Sequence, residues 1–520
     1  MGDARPPDVI LLAESATMLI ALSLSRKRGA SLQSQIADQL RQQIVSGRLE
    51  PGCEMPPSRE LAAQYRISRN TVLQAYDRLM SEGYLSTIGG VGTFVTKAVP
   101  DSCLTIAASA AQPLPVSTAR APVIFATDVP SVPDRQRDSV IDFWPGRPNK
   151  TLFPSAAWRR LADEALHAAE AHLTEYNDPG GIIELRAAIA QHVSRSRGVR
   201  CSEEAVIVTA GTQEAINLIC RILVTTDTGV VMEDPCYGSA LRTFQSYGAR
   251  IFPVPVDRNG LVTDALPRPG GKSGVSLAYV TPSHQFPTGA ALSLDRRQEL
   301  LHWAHRTGAY LIEDDYDSDY NFDGPPFLSL AGADTGQCVI YVGTFSKSLG
   351  AGLRTGYVIV PPQLVDVARK VKAMTNYGHP WLEQTLLARF ILEGGYRRHL
   401  RKIRKSYSDT LSCLISQIES TFGQADIWGA HAGMHVMWRL PENFSAADFK
   451  AKLDAHGGVR VHTLASGGAF EQADRYRDRA ILLGYSALGG NEIRRAVQIM
   501  AEVIPRRHFM VKAVRGAVPA

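Results

Sequence analysis

The sequence predicts a multidomain chain, in which a small α+β domain of helices and a β-hairpin precedes a larger α/β domain with a mostly parallel sheet. Its 520 residues exceed the usual domain size of roughly 100 to 200. Its composition changes twice, since a compact segment at 31–98 is followed by a stretch rich in Ala, Pro, Val and Ser at 99–138. Through 139–520, helical periodicity alternates with short apolar runs. Separate hydrophobic cores are therefore expected.

The stretch 99–138 is predicted to be a linker. It shows neither helical nor strand periodicity, and prolines recur along it. They are Pro100, Pro113, Pro115, Pro122, Pro130 and Pro133. Such a composition suits a partly extended, semi-flexible tether, or alternatively an arm on the surface of a domain.

Bulk composition is that of an ordinary globular protein, with 45% hydrophobic and 21% charged residues. The net charge of +5 is compatible with a nucleic-acid partner but is weak evidence, because it is spread over a long chain. The seven cysteines show no zinc-type spacing. We therefore expect reduced thiols in the cytoplasm and no metal site.

The N-terminal lead-in, 1–30, admits two interpretations. Its apolar stretch from Val9 to Leu24 resembles the core of a secretory signal, but Glu14 interrupts it and no convincing cleavage site follows. Residues 18–24 could equally form a short strand that leads into the next domain. No other segment reaches about 18 uninterrupted apolar residues, so no membrane span is predicted.

The segment 31–81 has the pattern of three helices. In the first, apolar residues recur at every fourth position, namely Leu32, Ile36, Leu40 and Ile44. Pro56 and Pro57 end any earlier helix, and Ser58 is placed to cap a second helix that runs to about Tyr65. Ser68 then caps a third helix. Its inward positions are Val72, Ala75, Tyr76 and Leu79. Two short capped helices joined by a tight turn form a helix-turn-helix.

The third helix begins with three side chains that can read DNA. Arg69, Asn70 and Thr71 can hydrogen-bond base edges or phosphates when a helix N-terminus enters the major groove. A hairpin follows, with strands at 84–88 and 93–96, as in the wing of a winged helix. The alternative is a small helical domain with solvated arginines.

The segment SLQSQIADQLRQQIVSGRLEPGCEMPPSRELAAQYRISRNTVLQAYDRLMSEGYLSTIGGVGTFV closely resembles the DNA-binding domain of the GntR regulators. The resemblance implies DNA contacts from Ser58, Arg59, Ser68, Arg69, Asn70 and Thr71, with Gly92 as the wing glycine. That wing often carries a basic residue before its glycines, whereas Thr87 and Ile88 occupy this stretch here. This departure weakens the expectation of a minor-groove contact.

Polar residues in the C-terminal region follow apolar strands, where open α/β sheets bind ligands. Lys347 comes after the strand at 339–342, with Ser346 before it and Arg354 seven residues later. Asp314 and Tyr316 follow the strand at 310–312. Pyridoxal phosphate (PLP) requires a lysine for its aldehyde, a carboxylate for its ring nitrogen and donors for its phosphate. Lys347, Asp314 and Arg354 with Ser346 suit these roles, and Tyr316 suits the ring hydroxyl.

Further residues complete the predicted pocket. Gly211, Thr212 and Gln213 follow the strand at 205–209, where small residues at a helix start expose backbone N–H groups to a phosphate. Thr344 belongs to the same run as the lysine. Tyr237 could stack on the ring, or could be a buried core tyrosine. Each string alone is compatible with an ordinary solvated or core residue, so the inference depends on their joint occurrence.

Residues from about Ile141 to Ile504 resemble type I aminotransferases and, more narrowly, the MocR subfamily of the GntR regulators. The similar segments are FWPGRPNKTLFP, YNDPGGIIELRAAIA, TPSHQFPTG, EDDYDS and GTFSKSL. The resemblance implies the PLP-dependent transferase type I fold and a homodimer. It also implies the same roles for Lys347, Asp314, Tyr316 and Arg354.

Two departures from the aminotransferase pattern bear on function. An asparagine commonly precedes Pro-Thr-Gly, but His-Gln-Phe stands at 284–286, which leaves open which polar group faces the cofactor. The second concerns a strand near the C-terminus, which often carries an arginine that grips a substrate α-carboxylate. Leu482 stands at that position, and Arg477 or Arg479 could substitute only in another register.

The leading hypothesis is a transcription regulator that holds PLP on Lys347 and binds an operator in double-stranded DNA. An amino compound, or PLP itself, would act as effector by shifting a homodimer between DNA-bound geometries. A second hypothesis is an aminotransferase with an autoregulatory DNA-binding domain, and a third is a DNA-binding protein with an inactive cofactor fold. The retained cofactor residues argue against the third, and the missing arginine argues against efficient transamination.

Overall fold

The computed structural model describes residues 20–25, 31–100, 140–169, 172–269, 274–322, 328–442 and 444–504. The chain divides into two units, residues 1–123 and 124–520. The predicted linker lies outside the described residues except at its first two positions, and so does most of the lead-in.

The N-terminal unit contains three helices and a β-hairpin. Its elements are α1 (Leu32–Val45), α2 (Ser58–Tyr65), α3 (Arg69–Ser81), β1 (Leu85–Ile88) and β2 (Gly92–Val95). The two strands pair antiparallel, with Ile88 opposite Gly92 at the turn. One core joins the inward faces of all three helices to the hairpin and includes Ile36, Leu40, Leu61, Val72, Leu79 and Leu85. The predicted winged helix-turn-helix is confirmed.

The two predicted helix caps have different outcomes. Ser68 caps α3 as predicted, because its hydroxyl accepts a hydrogen bond from the backbone N–H two residues on, at 3.2 Å. The cap predicted at Ser58 is wrong, since Ser58 is the first residue of α2 and Pro57 occupies the cap position. The left-handed conformation of Arg66 (φ 50°) turns the chain between the helices. The hydroxyl of Ser58 instead accepts from Nε of Arg69 at 3.3 Å.

The described part of the lead-in, residues 20–25, has no strand partner, contrary to the short strand considered for this segment. Side chains satisfy its backbone instead. The hydroxyl of Tyr65 donates to the carbonyl of Ile20 and accepts from the N–H of Leu22 at 2.7 Å. Gln39 accepts from the N–H of Ser23 at 2.8 Å and donates to its carbonyl at 2.7 Å. The segment therefore packs onto the domain without extending a sheet.

The C-terminal unit alternates helices and strands. Its helices are α4 (Ser155–His167), α5 (Ile183–Arg197), α6 (Thr212–Leu223), α7 (Gly238–Ser246), α8 (Leu294–Thr307), α9 (Leu330–Ala333), α10 (Val365–Asn376), α11 (Trp381–Leu392), α12 (Gly395–Phe422), α13 (Ala446–His456) and α14 (Gly490–Val503). Its strands are β3 (Ile141–Asp142), β4 (Val206–Thr209), β5 (Gly229–Asp234), β6 (Cys236–Tyr237), β7 (Arg250–Asp257), β8 (Gly260–Leu261), β9 (Val275–Val280), β10 (Tyr310–Asp315), β11 (Val339–Thr344), β12 (Gly356–Ile359), β13 (Asp426–Trp428), β14 (His435–Arg439), β15 (Val459–Arg460), β16 (His462–Thr463), β17 (Ala469–Phe470) and β18 (Ala480–Gly484).

An eight-stranded mixed sheet lies at the centre of this unit, in the order β4-β12-β11-β10-β9-β5-β7-β8. The strands from β11 to β7 in this order are parallel to one another, whereas β12 is antiparallel to both of its neighbours and β8 to β7. Ile312 and Val342 pack on one face of the sheet, and Leu311 packs on the other. The predicted α/β architecture is therefore confirmed, and the carboxyl ends of the parallel strands meet at one edge.

A second, antiparallel sheet has the order β13-β14-β18-β16. Its strands share a core with the long helix α12 and with α13 and α14. Two short pairs, β3 with β15 and β6 with β17, join segments that are far apart in the chain. No helix within the described ranges has the length and apolar character needed to cross a membrane.

Candidate functional site

Two adjacent parallel strands carry the central pair of the predicted pocket. Asp314, near the carboxyl end of β10, lies opposite Val342 of β11. Lys347 follows three residues after β11 ends. Because both strands end at the same edge, the two residues lie at one edge of the sheet.

The carboxylate of Asp314 is buried and only partly satisfied. Its Oδ2 accepts a hydrogen bond from the hydroxyl of Tyr279, whereas its Oδ1 has no hydrogen-bond partner in the described part of the chain. Burial raises the pKa of Asp314 to about 7, and the nearby negative charge of Asp315 acts in the same direction. A cationic N–H group placed against Oδ1 would satisfy this atom and favour the charged form.

The ammonium of Lys347 approaches backbone rather than a fixed counter-ion. Its Nζ donates to the carbonyl of Gly146 at 3.3 Å. A Cβ at Gly146 would lie 2.8 Å from that nitrogen, so any larger residue would displace the lysine. Burial lowers the pKa of Lys347, and the carboxylates of Asp317 and Asp314 oppose that shift. A lysine with a lowered pKa is more readily a nucleophile toward an aldehyde.

The predicted phosphate residues gather around the start of α6. Gly211 has φ 94° and precedes the helix, and no side chain caps the first N–H groups of α6. Arg354 donates from Nη2 to the carbonyl of Ala210 at 2.6 Å, which places its guanidinium at this loop. The N–H of Ser346 donates to Oγ1 of Thr344 at 3.1 Å. Exposed N–H groups beside a guanidinium form a suitable anion site.

Gln213 differs from its neighbours in this loop. Its side-chain amide donates to the hydroxyl of Thr243 on α7 at 2.5 Å. The side chain of Gln213 is therefore used in the contact between α6 and α7. Only the backbone N–H of Gln213 remains for a phosphate at the start of α6. Thr212, the first residue of α6, is half-buried and shows no capping bond there.

Two tyrosines line the pocket beside the aspartate. Tyr237 makes an edge contact with Phe286, with ring centroids 5.7 Å apart. Burial raises the pKa of Tyr237, and the charge of Asp314 acts in the same direction while that of Arg354 opposes it. Tyr316 donates from its hydroxyl to the carbonyl of His284 at 3.0 Å. Burial raises the pKa of Tyr316 well above its usual value, so the hydroxyl keeps its proton.

The three residues before Pro287, among which the sequence left open the polar group that faces the cofactor, make different contacts. Gln285 is buried, and its side-chain amide donates to Glu233 at 3.1 Å, so this side chain bonds within the protein interior. Phe286 contributes a ring. His284 is the polar group beside the pocket, because its Nδ1 lies 3.3 Å from the hydroxyl of Tyr316 and 2.9 Å from Oδ2 of Asp317.

Sequence reasoning left His284 as one candidate within 284–286 and did not identify Asp317 as a site residue. The histidine lies in a loop, and the aspartate lies two residues beyond β10. The signal that could have found them is their proximity to recognised positions, since one precedes Pro-Thr-Gly by three residues and the other follows Tyr316 directly. The fold brings both against one tyrosine hydroxyl.

Leu482 lies in the interior of β18 and is fully buried. It belongs to an apolar cluster with Met437, Leu464, Ala469 and Tyr476, and Phe286 packs against the same cluster. Arg477 and Arg479 precede the strand and pair with Asp474 and Glu442 at exposed positions. Neither arginine therefore occupies the place of Leu482.

The predicted DNA-contacting residues cluster at the starts of α2 and α3. Arg59, Ser68, Arg69 and Asn70 are exposed, and Thr71 is half-buried. The bond between Arg69 and Ser58 joins the two helix starts. At the wing, Gly92 lies beside Glu54, and Ile88 and Val91 are the exposed apolar residues near its tip.

Together, the winged helix and the large mixed sheet with its lysine and aspartate define a class of protein in which a DNA-binding domain is fused to an aminotransferase-type domain. The family model for aminotransferase class I and II matches residues 146–473. The family model for bacterial regulatory proteins of the gntR family matches residues 32–95.

Comparisons with known proteins identify the family. The chain is 37% identical to the "Probable rhizopine catabolism regulatory protein MocR" of Rhizobium meliloti, over 75% of this chain and 77% of that protein. It is 32% identical to the "Uncharacterized HTH-type transcriptional regulator YhdI" of Bacillus subtilis, over 91% of this chain and 96% of that protein. An archaeal alanine:glyoxylate aminotransferase structure superposes with a TM-score of 0.65 at 27% identity, over 70% of this chain and 90% of that one. The chain belongs to the MocR subfamily of the GntR transcription regulators.

Proposed function

We propose that this protein is a PLP-dependent, ligand-responsive regulator that binds an operator through its winged helix. The cofactor domain serves as the sensor, with a small amino compound or PLP itself as effector. The protein acts in the cytoplasm, where its operator is. Effector binding changes the population of DNA-binding geometries by its differential affinity for them.

The observation that carries the cofactor proposal is the unsatisfied Oδ1 of Asp314, at the same edge of the sheet as Lys347. This buried acceptor would suit the protonated ring nitrogen of PLP, and Gly146 leaves space beside the lysine that would hold the cofactor. Bound PLP supplies an aldehyde that reacts with amines and a ring that withdraws electrons. The residues present therefore fit the cofactor.

The chain's own groups divide the work of holding it. Lys347 provides the covalent attachment, and Asp314 keeps the ring nitrogen protonated. Tyr316 binds the ring hydroxyl, and Tyr237 covers the ring. The phosphate is bound by Arg354, Ser346 and Thr344 together with the N–H groups of Gly211, Thr212 and Gln213.

An aminotransferase with an autoregulatory DNA-binding domain is the second candidate, and the complete set of cofactor residues favours it. Leu482 argues the other way, because no arginine replaces it within the described residues of its apolar cluster. A substrate carboxylate buried there would have no cation. We therefore expect little or no turnover of ordinary α-amino acids.

The DNA half of the proposal depends on the exposed start of α3. We propose that Arg69, Asn70 and Thr71 read bases in the major groove, while Ser58, Arg59 and Ser68 position the helices on phosphates and Gly92 shapes the wing. A homodimer would present two such helices. Exposed apolar residues on the C-terminal unit offer a surface for a second copy, namely Leu173, Tyr176, Met374 and Tyr377.

The cofactor proposal is tested by borohydride trapping. The purified full chain, saturated with PLP and reduced, should carry on the order of one pyridoxyl label per chain, located on Lys347 by peptide mapping. Lys347→Ala should carry none. Lys370→Ala, which removes an exposed lysine of α10, should label like the wild type. Equal labelling of Lys347→Ala, or a wild type that takes up no cofactor, would show the site assignment to be wrong.

The DNA proposal is tested by operator titration over a salt series. Arg69→Ala should weaken operator binding by about 1–3 kcal/mol, roughly 5- to 150-fold, because it removes a contact at the helix N-terminus. Arg78→Ala is the matched control, since Arg78 lies at the other end of α3 and pairs with Glu82 at 2.9 Å. Unchanged affinity and specificity in Arg69→Ala would contradict α3 as the recognition helix.

A further inference from the structure

A cavity of about 410 Å³ lies in the C-terminal unit, and none of the predicted cofactor residues is among the residues that line it. Residues of α5, the end of α11, the first turns of α12 and the segment 318–321 enclose it. Five arginines line it, namely Arg195, Arg197, Arg397, Arg401 and Arg404. The single acidic lining residue is Asp319, so the charged lining side chains carry a formal charge of +4.

The acidic groups beside the cavity are already in use. Arg197 pairs with Asp315 and Asp319, each at 2.9 Å, in the buried wall. Arg404 donates to the backbone carbonyl of Asp319 from Nε at 3.0 Å and from Nη2 at 2.8 Å. The side chain of Asp319 also lies 3.1 Å from the hydroxyl of Tyr396. This aspartate therefore has little capacity left to neutralise the other arginines.

Three of the arginines have no counter-charge. Among the described residues, no carboxylate lies within 4.0 Å of Arg195, Arg397 or Arg401, and none of the three makes a side-chain hydrogen bond. Arg397 and Arg401 are one turn apart on α12, where like charges repel. All three arginines are exposed, so water solvates their charges, and an anion bound between the guanidinium groups would relieve the repulsion between them.

We propose that this cavity binds a small phosphate ester, at a site separate from the cofactor pocket. Guanidinium groups match the oxygens of a phosphate by paired N–H donors, which makes arginine the preferred partner for this anion. Leu392 and Leu400 supply an apolar wall for the organic part of the ester. The volume lies within the usual range of small-molecule sites, roughly 300–1,000 Å³.

Hydrogen bonds connect this cavity to the segment of the predicted cofactor lysine. The hydroxyl of Tyr396, in the cavity lining, lies 2.9 Å from Oγ of Ser348, the residue after Lys347. His399 contacts the carbonyl of Ser348 at 2.7 Å. Coupling between the two sites rests on the proposed function, whereas anion binding in the cavity does not.

Isothermal titration with phenyl phosphate tests the proposal, using the full chain after borohydride reduction with PLP and removal of unbound PLP, so that the proposed cofactor phosphate site is already filled. The wild type should show saturable binding with about one site per chain, and Arg397→Gln/Arg401→Gln should weaken it at least roughly tenfold. The matched control is Arg398→Gln/Lys402→Gln, which removes two positive charges from the same helix outside the cavity lining. This control should bind phenyl phosphate like the wild type. Equal weakening in both double variants, or no saturable binding by the wild type, would overturn the proposal.

Two further measurements separate other anion sites. Arg354→Gln should leave the phenyl phosphate affinity unchanged, because Arg354 belongs to the proposed cofactor phosphate site. Loss of binding in that variant alone would assign the anion to the cofactor pocket and overturn the proposal. The salt dependence of operator binding should be the same in Arg397→Gln/Arg401→Gln and the wild type. A reduced salt slope, without any phenyl phosphate site, would show that these arginines contact DNA instead.

Discussion

The two sides of the cofactor pocket differ in what surrounds them. On the side of Asp314 and Lys347, buried charges converge and one carboxylate oxygen lacks a partner. On the other side, Phe286 links the pocket tyrosines to a fully buried apolar cluster that contains Leu482. The first side carries the residues proposed to hold the cofactor, and the described residues of the apolar cluster on the second side include no cation. This difference is the basis of the proposal that the protein senses amines with little or no turnover of amino acids.

The largest effect should come from the charged side. Asp314→Asn replaces the carboxylate that is proposed to face the ring nitrogen by a neutral amide, and a charge-assisted bond of this kind contributes about 1.5–3 kcal/mol. The dissociation constant of PLP should rise roughly ten- to a hundredfold, as measured by absorbance titration. Asp366→Asn, at an exposed position in the first turn of α10, is the control. Wild-type affinity in Asp314→Asn would remove the functional distinction between the two sides.

The charged side should also make the cofactor-free protein sensitive to pH. Burial raises the pKa of Asp314 to about 7, above the value of about 4 expected in the unfolded chain. The folded state therefore binds this proton more tightly. The stability that results is fully present below about pH 4 and is lost as the pH rises through about 7.

The measurement is urea unfolding at pH 5 and pH 8. Buried histidines with a lowered pKa, such as His435, change stability in the opposite direction, so the readout is the difference between two proteins. The wild type should lose on the order of 2 kcal/mol more than Asp314→Asn over this interval. Equal losses would show that Asp314 does not titrate in this range.

The strand ends could be predicted from the sequence, because local patterns determine them. An apolar run followed by Asp314 and Tyr316, or by Ser346 and Lys347, places these residues at the carboxyl ends of two strands, as the structure shows. The partners of these side chains could not be predicted. Tyr279, which donates to Asp314, is one residue from the end of β9, and only the sheet order brings the two together.

The helix starts likewise include one feature that a local sequence pattern predicts and one that depends on tertiary contacts. Ser68 follows from a local rule, since a serine before an apolar helical pattern accepts a backbone N–H. Ser58 satisfies the same rule and does not cap α2. Its hydroxyl accepts from a side chain of the next helix, which a local pattern does not reveal. The cavity lined by arginines depends wholly on tertiary contacts, because the helices α5 and α12 that line it are separated by nearly 200 residues.

The apolar side of the pocket should set which amines the protein senses. Phenethylamine and L-phenylalanine differ only in the α-carboxylate, and the wild type should respond to phenethylamine at a roughly tenfold lower concentration, because the carboxylate would be desolvated without a cation. The response is the change in visible absorbance of the bound cofactor. Leu482→Arg should reverse this preference, whereas Leu482→Met, which conserves volume, should retain it. An equal response of the wild type to both compounds would mean that some other group in the pocket binds the carboxylate, although position 482 carries no arginine. The contrast between the two sides of the pocket would then no longer explain specificity.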